Sequence, residues 1–199
     1  MHAAKQKRNV SGIARTVLIV IAIALLLGFL LDFIITQIEY LIFPKPAEYQ
    51  GYVTRYAAEF GVPENLVFAV IKTESGFDHT AVSDKGAVGL MQLTETTFAD
   101  IRDRIFQDGY IDVGMRYDPE TNIKYGVRYL AYLYSRFGHW ETAIVAYFEG
   151  ETRVADWLED KAYDKNSDGR LDSFPKGYSG GQNYLKKVKS SWEYYDKLY

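Results

Sequence analysis

Glu74 closes an apolar helical stretch in which Val67, Val70 and Ile71 stand seven, four and three residues before it. At helical spacing these side chains share one face, so the carboxyl group emerges on the buried side, at the C-terminal end of its helix. Desolvation and the negative end of the helix dipole both disfavour the carboxylate and raise its pKa, as a general acid working near neutral pH requires. Taken by itself, this helix is equally compatible with a solvated terminal glutamate. The second constellation is the run DKNSDGRLD. Asp164, Asn166, Asp168, Gly169 and Asp172 match the first nine positions of a calcium loop, with Leu171 at its apolar position. Position twelve is Pro175, so the bidentate glutamate is missing, and Asp-Asn-Gly runs also make turns without metal. The expectation is a turn between helices, with calcium as the alternative. No other cofactor is expected, because the chain has no cysteine and His2, His79 and His139 are scattered without ligand spacing.

The elements that must position these residues read as helices. The chain of 199 residues suits one domain plus an appendage. Thr16 to Leu31 carries no charge, and with Asp32 tolerated the apolar run extends to Ile35, about 20 residues and enough to cross a hydrocarbon core of roughly 30 Å. Lys5, Lys7, Arg8 and Arg15 precede it, so the positive-inside bias places residues 1–15 in the cytoplasm as a basic tail, residues 16–35 in the membrane and the rest outside. The run exceeds the apolar core of a usual signal peptide and no small-residue cleavage site follows, so an anchor is preferred over a cleaved leader. Residues 36–46, ending in Pro44 and Pro46, read as a linker, and residues 47–199 as the globular domain. Four basic against two acidic residues in positions 1–44 make that segment net positive by two, so the whole-chain charge of -3 leaves -5 for the remainder. That balance argues against a nucleic-acid partner. Helices are expected over residues 48–60, 63–74, 94–105, 119–137 and 141–149, and from Gln182 to the end. With no strand alternation and no repeat, the class is mainly α. In the helix from Pro119 the residues Ile123, Val127, Leu130, Leu133 and Phe137 form the apolar stripe and Asp118 is the N-cap. Tyr125, Tyr129 and Tyr132 run beside it, with core packing the default for each.

A longer series accompanies the acid: Glu74-Ser75, Ser83, Gly89-Leu90-Met91-Gln92, Asn122, Gly126 and Tyr129, Ala146-Tyr147, then Tyr184. In order and approximate spacing, from about Glu48 to Val188, it resembles the family 1 lytic transglycosylases, the soluble-lytic-transglycosylase-like domain with a goose-type lysozyme fold. The resemblance implies a lysozyme-like helical domain behind a single N-terminal transmembrane helix. It also implies an extracytoplasmic enzyme that cleaves the β-1,4 bond between N-acetylmuramic acid and N-acetylglucosamine in peptidoglycan and leaves a 1,6-anhydromuramyl end. Position by position, it implies Glu74 as the acid and then the base. Ser75, Ser83 and Gln92 become substrate-contacting polar groups, Met91 part of the cleft wall, and Tyr147 the tyrosine supporting the acid or the acetamido group. Tyr129 and Tyr184 become further cleft tyrosines. The expected partners are glycan strands, the membrane through residues 16–35, and a larger envelope machinery that the sequence does not name.

Two departures stand out. Family members commonly read Ala-Tyr-Asn-Ala-Gly where this chain reads Ala146-Tyr147-Phe148-Glu149-Gly150, and a glutamate usual four residues before the late tyrosine is here Gly180. Glu149 is expected to be solvated. Alternatives left open are a hydrolysing goose-type lysozyme, or an inactive membrane-tethered peptidoglycan-binding protein.

Overall fold

Pro44 and Pro46 end one helix and open the next, because a proline disfavours helical backbone in the residue before it. The computed structural model describes residues 2–107 and 110–199, with side chains described from Arg15 onward, apart from the same gap. Two compact units meet at this break, residues 1–44 and residues 45–199.

The first unit is a single helix, α1 (His2–Ile42). Its stretch Arg15–Ile42 is long and apolar enough to cross a membrane, 28 residues or about 42 Å at the helical rise. The expected anchor stops at residue 35, whereas the helix continues to Ile42. TQIEYLI contains no breaker, and Thr36 donates its hydroxyl back to the Asp32 carbonyl at 3.0 Å. The expected linker over 36–46 is therefore helical through residue 42, and only residues 43–46 lie outside helix.

The second unit contains α2 (Ala47–Phe60), α3 (Glu64–Glu74) and α4 (Glu95–Asp100). A π-helical turn (Ile101–Phe106) and a 3-10 turn (Val113–Tyr117) follow, then α5 (Pro119–Phe137), α6 (Trp140–Glu149), α7 (Glu151–Leu158) and α8 (Ser179–Leu198). In α3 every residue from Leu66 to Ile71 is fully buried, which makes it a central helix rather than a half-wet one. Helices α2 and α8 pack against it, while α5 packs between α2 and α6. Helix α5 begins as expected: Asp118 accepts the Thr121 N–H at 2.9 Å, Pro119 stands in the first turn, and Gly138 closes the helix in the left-handed region.

Two elements differ from the periodicity. Residues 94–105 are not one α-helix, because after Asp100 the backbone widens into the π turn, which sets Phe106 against Tyr125 with ring centroids 4.7 Å apart. Helix α7 was not expected. It is short and follows Gly150, whose φ of 98° turns the chain, and it buries Val154 and Trp157. Glu151 at its start accepts from Tyr132 at 2.7 Å and pairs with Arg136 and Arg104, binding α5, α7 and the π turn together. Between α3 and α4 the chain forms no strand, only the isolated bridges Val82–Val88 and Val88–Leu93.

Candidate active site

Glu74 is the last residue of α3, and its carboxyl group opens into a cleft of about 560 Å³. Ser83, Gln92, Tyr129, Tyr147, Phe148 and Glu149 also line that cleft. The size falls in the range of a ligand pocket. Burial raises the Glu74 pKa to about 7, against the partial opposing effect of a hydrogen bond from Tyr184. That bond, from the Tyr184 hydroxyl to Glu74 Oε1, is 2.5 Å long. Burial, together with the facing charge of Glu74, holds the Tyr184 and Tyr147 hydroxyls well above the ordinary tyrosine range, so both remain neutral donors.

The loop opposite is built around Asn122, which is fully buried on α5. Its Oδ1 accepts the Met91 N–H at 2.7 Å, and its Nδ2 donates to the carbonyls of Arg116 at 2.7 Å and Val88 at 3.0 Å. Gly89 lies against this amide with φ at 76°, and a Cβ there would stand 2.6 Å from Asn122 Nδ2. Gly89→Ala should therefore cost about 2 kcal/mol in urea unfolding, combining left-handed strain with a clash. Gly126 is needed for a different reason: the Met91 side chain rests directly on it, where any Cβ would overlap. The sequence placed Asn122 in the motif series without assigning it a role; its further signal was a polar residue beside the apolar stripe of α5.

The expected site residues separate into three groups. Glu74, Ser83, Gln92, Tyr129 and Tyr147 line one cleft. Gln92 holds a left-handed φ of 49°, supported by Nε2 bonds to the carbonyls of Gly89 at 3.0 Å and Ala81 at 3.2 Å. Such backbone strain concentrates at functional sites. Ser83 Oγ accepts the Ala87 N–H at 3.0 Å, and Tyr129 packs against Tyr147 with centroids 5.5 Å apart. Tyr184 lies beneath the cleft, 6% exposed, as the acid's donor.

Two expectations are corrected. Met91 is fully buried and forms no part of the wall, since its side chain fills the space left by Gly126. Ser75 donates its hydroxyl to the carbonyls of Leu90 at 2.9 Å and Ile71 at 3.2 Å, so it fastens the Met91 loop to the end of α3 rather than facing the cleft. Of the two tyrosines expected near the acid, only one bonds it. Tyr147 donates to the Met91 carbonyl at 2.7 Å, leaving Tyr184 as the tyrosine bonded to the acid.

Glu149 is not solvated. Its side chain is 8% exposed; Oε1 accepts the Gly181 N–H at 2.9 Å and Oε2 pairs with Arg153 at 3.0 Å. In the acidic loop, Asp164 accepts the N–H groups of Gly169 at 2.9 Å and Asp168 at 3.1 Å, and Asp172 accepts that of Lys165 at 3.0 Å. The Leu171 N–H reaches Thr142 Oγ1 at 3.0 Å. These carboxylates shape a turn tied to α6, and the described residues contain no cluster of three or more acidic, His or Cys groups suited to a metal.

The Transglycosylase SLT domain matches residues 51–169. The soluble lytic murein transglycosylase of Escherichia coli (strain K12) is 32% identical over 151 residues, 75% of this chain and 23% of that protein. The membrane-bound lytic murein transglycosylase C of Yersinia pestis (strain Pestoides F) is 36% identical over 91 residues, 45% of this chain and 25% of that protein. The crystal structure of the 70 kDa soluble lytic transglycosylase of Escherichia coli superposes with a TM-score of 0.64 at 29% identity, over 75% of this chain and 24% of that one. The chain thus spans about a quarter of the length of the curated relatives it matches. A match covering most of the globular unit, a lysozyme-like helical fold shared with these enzymes and an acid set at the end of its central helix agree: the chain belongs to the transglycosylase SLT domain family.

Proposed function

We propose that this chain is a membrane-anchored lytic transglycosylase that cuts the β-1,4 bond between N-acetylmuramic acid and N-acetylglucosamine in peptidoglycan. The observation carrying this reading is the half-buried Glu74, with a pKa of about 7 and a buried tyrosine donor on its carboxyl group. At that pKa the group is held about equally as acid and as carboxylate near neutral pH, which suits one residue serving in both roles. Protonated Glu74 gives its proton to the departing glycosidic oxygen as the C1–O bond breaks. The C6 hydroxyl of the same sugar then bonds to C1, and the Glu74 carboxylate takes the proton that hydroxyl loses, restoring the acid. The nucleophile is tethered to the reacting ring, so no water need be positioned and no second carboxylate is required. Glu149, the other largely buried carboxylate of the cleft, is committed to Gly181 and Arg153, which supports the one-carboxylate scheme.

Product chemistry tests this directly. Peptidoglycan digested by the full-length protein should yield muropeptides with anhydro ends that take up no hydride from borohydride. Reducible ends would replace this reading with hydrolysis. Turnover should be unchanged after EDTA treatment, and a loss restored by calcium would assign a metal to the 164–172 loop. Tyr184→Phe removes the donor that lowers the Glu74 pKa, so the alkaline limb of the pH–rate profile should move to higher pH. A limb that stays in place would separate Tyr184 from the acid's titration.

The N-terminal apolar helix supports anchoring, and the four basic residues before Thr16 support a cytoplasmic N-terminus with the catalytic unit outside. Protease added to spheroplasts, with only the inner membrane intact, should reach residues 45–199, and protection of that unit would reverse the topology.

A further inference from the structure

Phe148 and Glu149 depart from the family pattern on α6, and Gly180 departs from it on α8; the folded chain brings all three together. Phe148 stacks on Tyr184, with ring centroids 4.7 Å apart and planes within 20°. A Cβ at Gly180 would come within 3.3 Å of the Phe148 ring, and one at Gly181 within 2.9 Å of Glu149. The small residues at the start of α8 thus leave room for the Phe148 ring and the Glu149 side chain at the end of α6. Glu149 fastens this contact by accepting the Gly181 N–H while paired with Arg153.

This places an exposed apolar ring at the cleft. Among the hydrophobic side chains lining the cleft, Leu93 is 1% and Tyr129 6% exposed, but Phe148 is 48% exposed. One face of its ring is occupied by Tyr184, the donor to Glu74. An aromatic face open to a polysaccharide cleft suits the apolar C–H face of a pyranose, which buries area on the ring while its hydroxyls remain free to bond elsewhere. We propose that Phe148 is an aromatic platform that seats a sugar ring of the bound glycan beside Glu74, and that Glu149 is the positioning residue holding this platform against α8. The inference rests on the transglycosylase reading above.

The test is binding of peptide-free soluble glycan strands to the full-length protein in detergent, in the Glu74→Gln background so that no turnover intervenes. Adding Phe148→Ala should weaken the dissociation constant about tenfold, and Phe148→Tyr should restore it to within about twofold. Glu149→Ala should weaken binding similarly, and Glu149→Gln, which keeps an acceptor for the Gly181 N–H, should restore it. Unchanged affinity in Phe148→Ala overturns the platform while leaving the transglycosylase reading intact. Absence of glycan binding by Glu74→Gln itself overturns both.

Discussion

Glu74→Gln is expected to reduce muropeptide release from peptidoglycan by about a thousandfold or more, the scale of losing a general acid that also serves as the base. It is also expected to make the folded protein more stable at pH 8. The folded-state pKa of about 7 lies above the ordinary glutamate value of 4.5, so the native state holds its proton more tightly than the unfolded chain. Stability from this group is complete below the unfolded value and falls as pH rises through the folded one. A shift of this size, at about 1.4 kcal/mol per unit and discounted for partial exposure, amounts to about 1 to 3 kcal/mol. The glutamine variant avoids this cost, so its urea midpoint should exceed that of the parent at pH 8 and converge with it near pH 4. Lost activity together with lost stability at pH 8 would mark Glu74 as a structural residue. Retained activity would overturn its assignment as the acid.

Asn122→Ala is expected to be the most destabilising single change in the globular unit, by about 3 to 5 kcal/mol. It strands the buried Met91 N–H and Val88 carbonyl and the half-buried Arg116 carbonyl, and leaves a cavity beneath Gly89. The consequence reaches the cleft, because the same loop supplies the Leu90 carbonyl bonded by Ser75 and the Met91 carbonyl bonded by Tyr147. Asn122→Asp adds a signature of its own. A carboxylate buried against two carbonyls is tolerated only when protonated, so this variant should be closer to the parent at pH 4 than at pH 8. Urea unfolding at both pH values, with hydrogen exchange at residues 88–93, measures both effects; a loss below about 1 kcal/mol for the alanine variant would show that water replaces the amide.

Much of the helical framework could be read from local pattern, because caps and periodicity act within a few residues. Asp118, Pro119 and Gly138 bound α5 where expected, and the Val67, Val70 and Ile71 face directs Glu74 inward at the end of α3. Helix α7 escaped because eight residues carry too little periodicity to be distinguished from a loop, and the π turn because the residues after Asp100 also suit a continued α-helix. Met91 was misplaced because a motif position does not reveal that Gly126, on another helix, leaves a space for it.

Composition and spacing by themselves determined a mainly α chain, an apolar helix ahead of a globular unit, and the place of Glu74 at a helix end, while leaving its burial open. Tertiary structure alone decided which tyrosine serves that acid, since Tyr184 stands 110 residues from Glu74 and reaches it only because α8 packs along α3. It also decided that Glu149 is buried and that Phe148 lies against Tyr184. Local sequence sets the face of a helix on which a side chain stands, whereas desolvation, hydrogen-bond partners and hence the working pKa come from what distant segments bring against that face.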